Sequence, residues 1–212
     1  MEEFYTIAEN AEITAEIVEK KSKFIANIFY IASVVEAEDA IKKIKKKYYD
    51  AKHNCIAYRV IEDGKIIERS SDDGEPSGTA GAPIHSILQK NNFCNILVVV
   101  TRYFGGILLG TGGLVSCYSA ATLDALDKAP KVVKCMGIEV QVELDYPNLE
   151  IFKYYCKNEQ INITDIEYLD KIICKIETEN NKIDKFMQDI SLKNIIVKEI
   201  LILNKKFISK SI

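Results

Sequence analysis

The chain has 212 residues, 48% of them hydrophobic and 28% charged, with a net charge of −3. That composition excludes a disordered or fibrous chain, and no stretch approaches the roughly 20 apolar residues that span a bilayer. A near-neutral balance also excludes a wholly basic nucleic-acid protein: residues 1–134 carry 17 basic and 18 acidic side chains, so any site for a polyanion must be a local patch.

Met1 is followed by two glutamates rather than a basic, then apolar, segment, so a secretory signal is not expected and a cytoplasmic address is. Glu12–Glu19 and Lys23–Ile31 alternate with period two and read as a hairpin. Ser33 then caps a helix marked by Val34, Ala37, Ala40, Ile41, Ile44 and Tyr48, acidic early and lysine-rich late. Lys42, Lys43, Lys45, Lys46 and Lys47 on that helix form either a solvated face or a cluster for RNA or an acidic partner. Asn54–Ile61, the Asp63-Gly64 turn and Lys65–Arg69 read as a second hairpin.

The stretch Ser71–Pro83, SDDGEPSGTAGAP, gathers three carboxylates and three glycines into one loop, after which Pro83 opens a helix to about Asn92. Ile96–Val100 is the unbroken apolar run of a strand buried on both faces. After RYFGGILLGTGGL at Arg102–Leu114, a helix from Leu114 to Leu126 and a linker at Pro130 close a first domain over 1–130. Residues 135–212 read as strand (Met136–Leu144), helix (Pro147–Lys157), strands (Ile161–Tyr168 and Lys171–Glu177), helix (Lys182–Ser191) and strand (Ile195–Leu203). That order is the βαββαβ of a ferredoxin-like domain.

Asp72, Asp73 and Glu75 could hold Mg²⁺ or act as an acid–base pair, or they could be turn formers beside Arg69 or Arg102. Gly105, Gly106, Gly110, Gly112 and Gly113 lead towards a helix with Thr111 as its cap, the geometry of an anion site or, equally, of close backbone packing. Arg102, Tyr103 and Phe104 match single-strand RNA recognition, or else Arg102 is a structural partner of Asp72 or Asp73 and Phe104 is core. His53 and His85 are accessory acid–base candidates, although neither has a recognisable nucleophile beside it. Six cysteines without a CxxC pair read as small buried hydrophobes, and neither a metal nor a cofactor is expected.

Four segments in order, SKFIA at Ser22–Ala26, HNCIAYR at His53–Arg59, SDDGEPSGTAGAP at Ser71–Pro83 and VTRYFGGILLGTGGL at Val100–Leu114, resemble the YigZ/Impact family in its bacterial two-domain form. The resemblance implies an α+β protein. Its N-terminal domain would be of the left-handed βαβ type shared with the translation-factor tip domain and the GHMP kinases. The ferredoxin-like domain would be similar to the last domain of elongation factor G. The resemblance further implies a role in control of translation, with RNA or the ribosome as partner and neither sequence-specific DNA nor a membrane. Whether a reaction is catalysed stays open. The binding reading rests on Arg69, Arg102, Tyr103 and the glycine-rich turns. The enzymatic alternative is a phosphate-ester or nucleotide site using Asp72, Asp73 and Glu75 with the GTGGL helix start.

Overall fold

A computed structural model describes residues 3–210. Met1, Glu2, Ser211 and Ile212, which the expected domain bounds include, lie outside the described residues. The chain divides into two compact units, Phe4–Val132 and Val133 onward.

After strand β1 (Glu3–Ile7), the first unit contains strands β2 (Glu12–Glu19), β3 (Ser22–Tyr30), β4 (His53–Glu62), β5 (Lys65–Ser71) and β6 (Ile96–Tyr103). Its helices are α1 (Val34–Lys47), α2 (Gly81–Lys90) and α3 (Gly110–Lys128). Five strands form an antiparallel sheet in the order β2-β3-β6-β4-β5. Because β3 and β4 both run antiparallel to β6, they are parallel to each other, with α1 as the crossover between them.

Side chains alternate across this sheet into two cores. Ile96, Val98 and Val100 of β6, with Cys55 and Ala57 of β4, pack against Ile84 and Leu88 of α2 and Tyr118 and Ala121 of α3. Leu97 and Val99, with Ile56, Tyr58 and Val60, face Ala37, Ile41 and Ile44 of α1 on the other side. Helices on both faces account for the unbroken apolar run seen in the sequence. Ser33 caps α1 as expected, its hydroxyl accepting the Glu36 amide at 3.1 Å.

The second unit contains β7 (Lys131–Leu144), α4 (Leu149–Asn158), β8 (Asn162–Tyr168), β9 (Ile172–Glu179), α5 (Ile183–Ser191) and β10 (Glu199–Ser209). These give the βαββαβ order; the sheet runs β1-β7-β9-β8 with β10 also paired to β7, and the β7–β10, β7–β9 and β8–β9 pairings are antiparallel. Val140, Val142, Leu144, Cys174 and Ile176 on one sheet face bury against Phe152 and Cys156 of α4 and Phe186 of α5. The two-domain α+β architecture is therefore present. All six cysteines are buried and free, and none of the described helices is long and apolar enough to cross a membrane.

Boundaries differ from expectation at four places, each for a local reason. The sequence pattern missed β1, whose Phe4 and Ile7 are buried and whose Tyr5 bridges to Phe93. Helix α3 begins four residues early and absorbs the GTGG run. Strand β7 starts at Lys131, where a linker was expected, and its residue Val133 accepts the Lys210 amide. Strand β10 starts four residues late because Asn194 folds back on Asp189, through its amide to the carbonyl and its side chain to the carboxylate, and shapes a turn there.

Two separate apolar centres make a checkable prediction. Phe186→Ala removes a side chain that is 1% exposed, at a cost of about 3–5 kcal/mol. Hydrogen exchange is expected to show protection lost across residues 133–210 and retained in β3, β4 and β6.

Candidate functional site

The two glycine-rich segments of the sequence meet at one end of the five-stranded sheet, and the groups that join them are buried. In the loop after β5, the Asp72 carboxylate accepts the backbone N–H groups of Gly78 (2.8 Å), Ala80 (3.0 Å) and Gly81 (2.8 Å). It thereby closes the loop and satisfies donors at the start of α2, where Ala80 has no capping side chain. Burial pulls the Asp72 pKa upward, but the three donated bonds outweigh it and hold the carboxyl below its ordinary value. Gly81 is required here because a Cβ would lie 2.7 Å from the Ser71 nitrogen.

Asp73 points elsewhere. Its carboxylate accepts the Asn54 amide at 2.7 Å and the Lys45 ammonium at 2.8 Å, and its carbonyl lies 3.0 Å from His53 Nδ1. The Glu75 side chain turns inward and is only 3% exposed. Its Oε1 accepts Arg102 Nη1 at 2.7 Å and the Tyr118 hydroxyl at 2.8 Å. Cys55 donates to the Asp72 carbonyl at 3.0 Å and lies 3.3 Å from the same tyrosine hydroxyl. Burial pushes the Cys55 thiol up to about 12, which makes it an inert core thiol.

Arg102 completes the joint. Its guanidinium lies 5.4 Å from the Phe24 ring and 5.6 Å from the Phe104 ring, and Nη2 reaches Ser22 Oγ at 3.5 Å. The same Ser22 oxygen accepts the Gly105 amide at 3.1 Å. Gly105 lies so close to the β2–β3 turn that a Cβ would sit 2.0 Å from the Lys21 carbonyl carbon. Each loop is thus anchored to the other through Glu75, Arg102 and Ser22.

Several expectations are corrected by this geometry. Arg102 is buried rather than outward-facing, and its carboxylate partner is Glu75 instead of Asp72 or Asp73. Phe104 is 53% exposed and lies over the guanidinium instead of entering the core. Arg69 pairs with Glu38 of α1 and lines a pocket with Ser71 and Asp73. Thr111 lies within α3 and Leu109 takes the cap position, with no side chain capping that helix. Asp72, Asp73 and Glu75 diverge towards three different sets of partners, and among the described residues no three His, Cys, Asp or Glu side chains are grouped to hold a metal. Tyr103 donates its hydroxyl to Asp50 at 2.7 Å, a bond that raises its pKa to about 12. His85 Nε2 lies 3.3 Å from Glu68, on the β5 side of α2, and shares nothing with His53.

What remains open to solvent is the segment between β6 and the first turns of α3. Ile107 is 44% exposed and Leu108 82%. Gly106, Gly110, Thr111 and Gly112 are exposed beside them. A groove of about 500 Å³ runs from this segment to the end of β2, lined by Val18, Lys20, Leu109, Gly113 and Ser116 among others. The lysine cluster of α1 is less basic than its sequence suggests. Lys42 pairs with Asp39, Lys43 with Glu12 and Lys45 with Asp73. Sequence reasoning gave Tyr118 no role at the site, and took Ser22 only as part of a motif and Cys55 as a small buried hydrophobe. A bulky tyrosine inside the small-residue run of α3 was the available signal for Tyr118.

The Impact N-terminal domain model matches residues 20–126, and a domain of unknown function, DUF1949, matches 142–191. IMPACT family member YvyE of Bacillus subtilis is 34% identical over 92% of this chain and 90% of its own. IMPACT family member YigZ of Escherichia coli is 35% identical over 70% and 72% respectively. A crystal structure described as a hypothetical protein superposes with a TM-score of 0.61 and 28% identity, covering 96% of this chain and 98% of that one.

Glu75→Ala leaves the Arg102 guanidinium buried without its carboxylate and is expected to cost about 3–5 kcal/mol in chemical denaturation. The double change Glu75→Leu with Arg102→Met should recover most of that loss. Asp72→Ala should cost about 1–2 kcal/mol. Since the folded Asp72 pKa is depressed, its stabilisation is complete above the ordinary value of 3.8 and is lost as pH falls through the lower folded value. Melting curves of wild type and variant should therefore converge in acid and separate above that range.

Proposed function

The chain belongs to the Impact family, and we propose that it is a translation-associated regulator that binds RNA or the ribosome through the exposed segment Phe104–Gly113. One observation supports this reading: the Glu75–Arg102–Ser22 joint holds the start of that segment at Arg102 and Gly105, Tyr118 of α3 bonds the same Glu75 beyond it, and Phe104, Ile107 and Leu108 between them are exposed. The chemistry at the surface is an aromatic ring for stacking, two aliphatic side chains, and the uncapped amides at the start of α3, where the helix dipole favours phosphate. Lys20, across the groove, adds a cation.

The second unit favours assigning the contact to the first. On the sheet face away from α4 and α5, Glu139, Glu143, Asp165, Glu167 and Glu177 are linked by Lys171, Lys175 and Lys206. Carboxylates outnumber lysines there, which repels a phosphate backbone. The enzymatic alternative loses its proposed carboxylates, because Asp72 and Glu75 are occupied in holding the loop together.

Leu108→Asp leaves the buried joint in place and is the informative change; Phe104→Ala, which also uncovers one side of the Arg102 guanidinium, is its companion. Each is expected to weaken co-sedimentation with ribosomes or binding to single-stranded RNA by roughly tenfold. The phosphate contribution should appear as an affinity that falls with added salt. Unaltered binding in both variants, with folding verified by circular dichroism, would remove this surface. Arg102→Ala tests the scaffold rather than the contact.

A further inference from the structure

On the α1 side of the first unit's sheet, a cavity of about 280 Å³ opens between that helix and the strands β4 and β5. The period of two along the strands decides what enters it. Asn54 and Ile56 of β4 point to the same side as Tyr58 and Val60, and Arg69 and Ser71 of β5 stand opposite Tyr58 and Ile56. Asn54 is only 5% exposed, yet it lines the cavity. Its side-chain oxygen accepts the Thr101 hydroxyl at 2.7 Å, and its NH2 group has no partner among the described residues. A buried amide donor left unbonded is costly, and a ligand acceptor in the cavity would remove that cost. Beside it, the Ser71 hydroxyl accepts the Asp73 amide at 3.2 Å, which leaves its own proton to donate.

We propose that this cavity binds a small phosphate monoester. Three cations line it, Lys42, Lys45 and Arg69, against two carboxylates, Glu38 and Asp73. Both carboxylates are already neutralised, because Arg69 gives an N–H to Glu38 and Lys45 gives one to Asp73. A guanidinium carries five donors and an ammonium three, so each cation keeps donors beyond its ion pair. Lys42 is held only by an exposed pair with Asp39, three residues away on the same helix, which costs little to give up. The donors converge from three elements: Asn54 on β4, Ser71 and Arg69 on β5, and the two lysines on α1. Such a set suits a tetrahedral group with three outer oxygens better than a planar carboxylate with two. Ile41 and Ile56 supply an apolar wall for the carbon part of the ester. The volume lies at the lower limit of small-molecule sites and suits a short phosphorylated metabolite rather than a polynucleotide. No lining residue belongs to the Phe104–Gly113 segment, so the site does not rest on the RNA reading.

Calorimetric titration of the full chain with glycerol 3-phosphate, inorganic phosphate and acetate tests this. Glycerol 3-phosphate is expected to bind saturably at one site per chain, more tightly than inorganic phosphate, with acetate the weakest. Arg69→Met changes a half-exposed side chain, and Asn54→Asp keeps the oxygen that Thr101 needs while replacing the free amide by a negative charge. Each should weaken glycerol 3-phosphate binding by roughly tenfold or more. Lys46→Met, on α1 but outside the cavity, should bind as the wild type does, which separates a built site from general attraction to the helix's lysines. Circular dichroism verifies folding, and Arg69→Met alone decides if Asn54→Asp does not fold. The proposal is overturned by the absence of saturable binding, by a folded Arg69→Met or Asn54→Asp chain that binds like the wild type, by an equal loss in Lys46→Met, or by acetate or inorganic phosphate binding as tightly as the ester.

Discussion

The first unit depends on a carboxylate and a guanidinium removed from water together. Glu75 and Arg102 are 3% and 7% exposed at their side chains. Desolvating two charges costs several kcal/mol for each, and their attraction offsets this only when the remaining hydrogen-bonding capacity is used. Here Tyr118 and Ser22 use part of it, and the rings of Phe24 and Phe104 enclose the cation. Such a pair adds little net stability over an apolar pair of equal volume. What it adds is geometry: an apolar replacement would tolerate sliding of the loops, but a two-point guanidinium contact fixes Ser22, Glu75 and Gly105 relative to one another.

That distinction explains why the conspicuous residues of the two motifs are mostly not surface groups. Asp72 acts as a remote cap for α2, Asp73 ties the loop to β4 and α1, and Glu75 and Arg102 form the joint. Gly81 and Gly105 are places where another backbone passes too close for a side chain. A motif rich in charge and glycine looks like catalytic machinery because enzymes and tight loop junctions need the same residue types, acceptors for orphan amides and room for close approach.

Much of the fold was legible because its periodicities are strong. The α1 cap and amphipathic face, the Asp63-Gly64 hairpin and the β6 run buried on both sides each follow from local chemistry. The site was legible only as a region. Nothing in the spacing of Arg102 and Glu75 distinguishes an exposed cation from a buried one, since burial is set by Phe24 and Tyr118 arriving from distant parts of the chain. The start of α3 was misplaced because glycine disfavours helix by about 1 kcal/mol per residue. Tertiary packing of Leu114, Cys117 and Tyr118 carries the helix through the glycines nonetheless.

The two units use opposite arrangements of charge. In the first, buried charge is paired and structural, while the exposed motif segment is nearly uncharged and offers rings, aliphatic carbons and amides. In the second, the helix-free sheet face carries a lattice of carboxylates bridged by lysines, and the apolar surface is displaced to one edge. An uncharged, amide-rich tip discriminates weakly against nucleobase or protein and depends on shape. A carboxylate-rich sheet rejects polyanions.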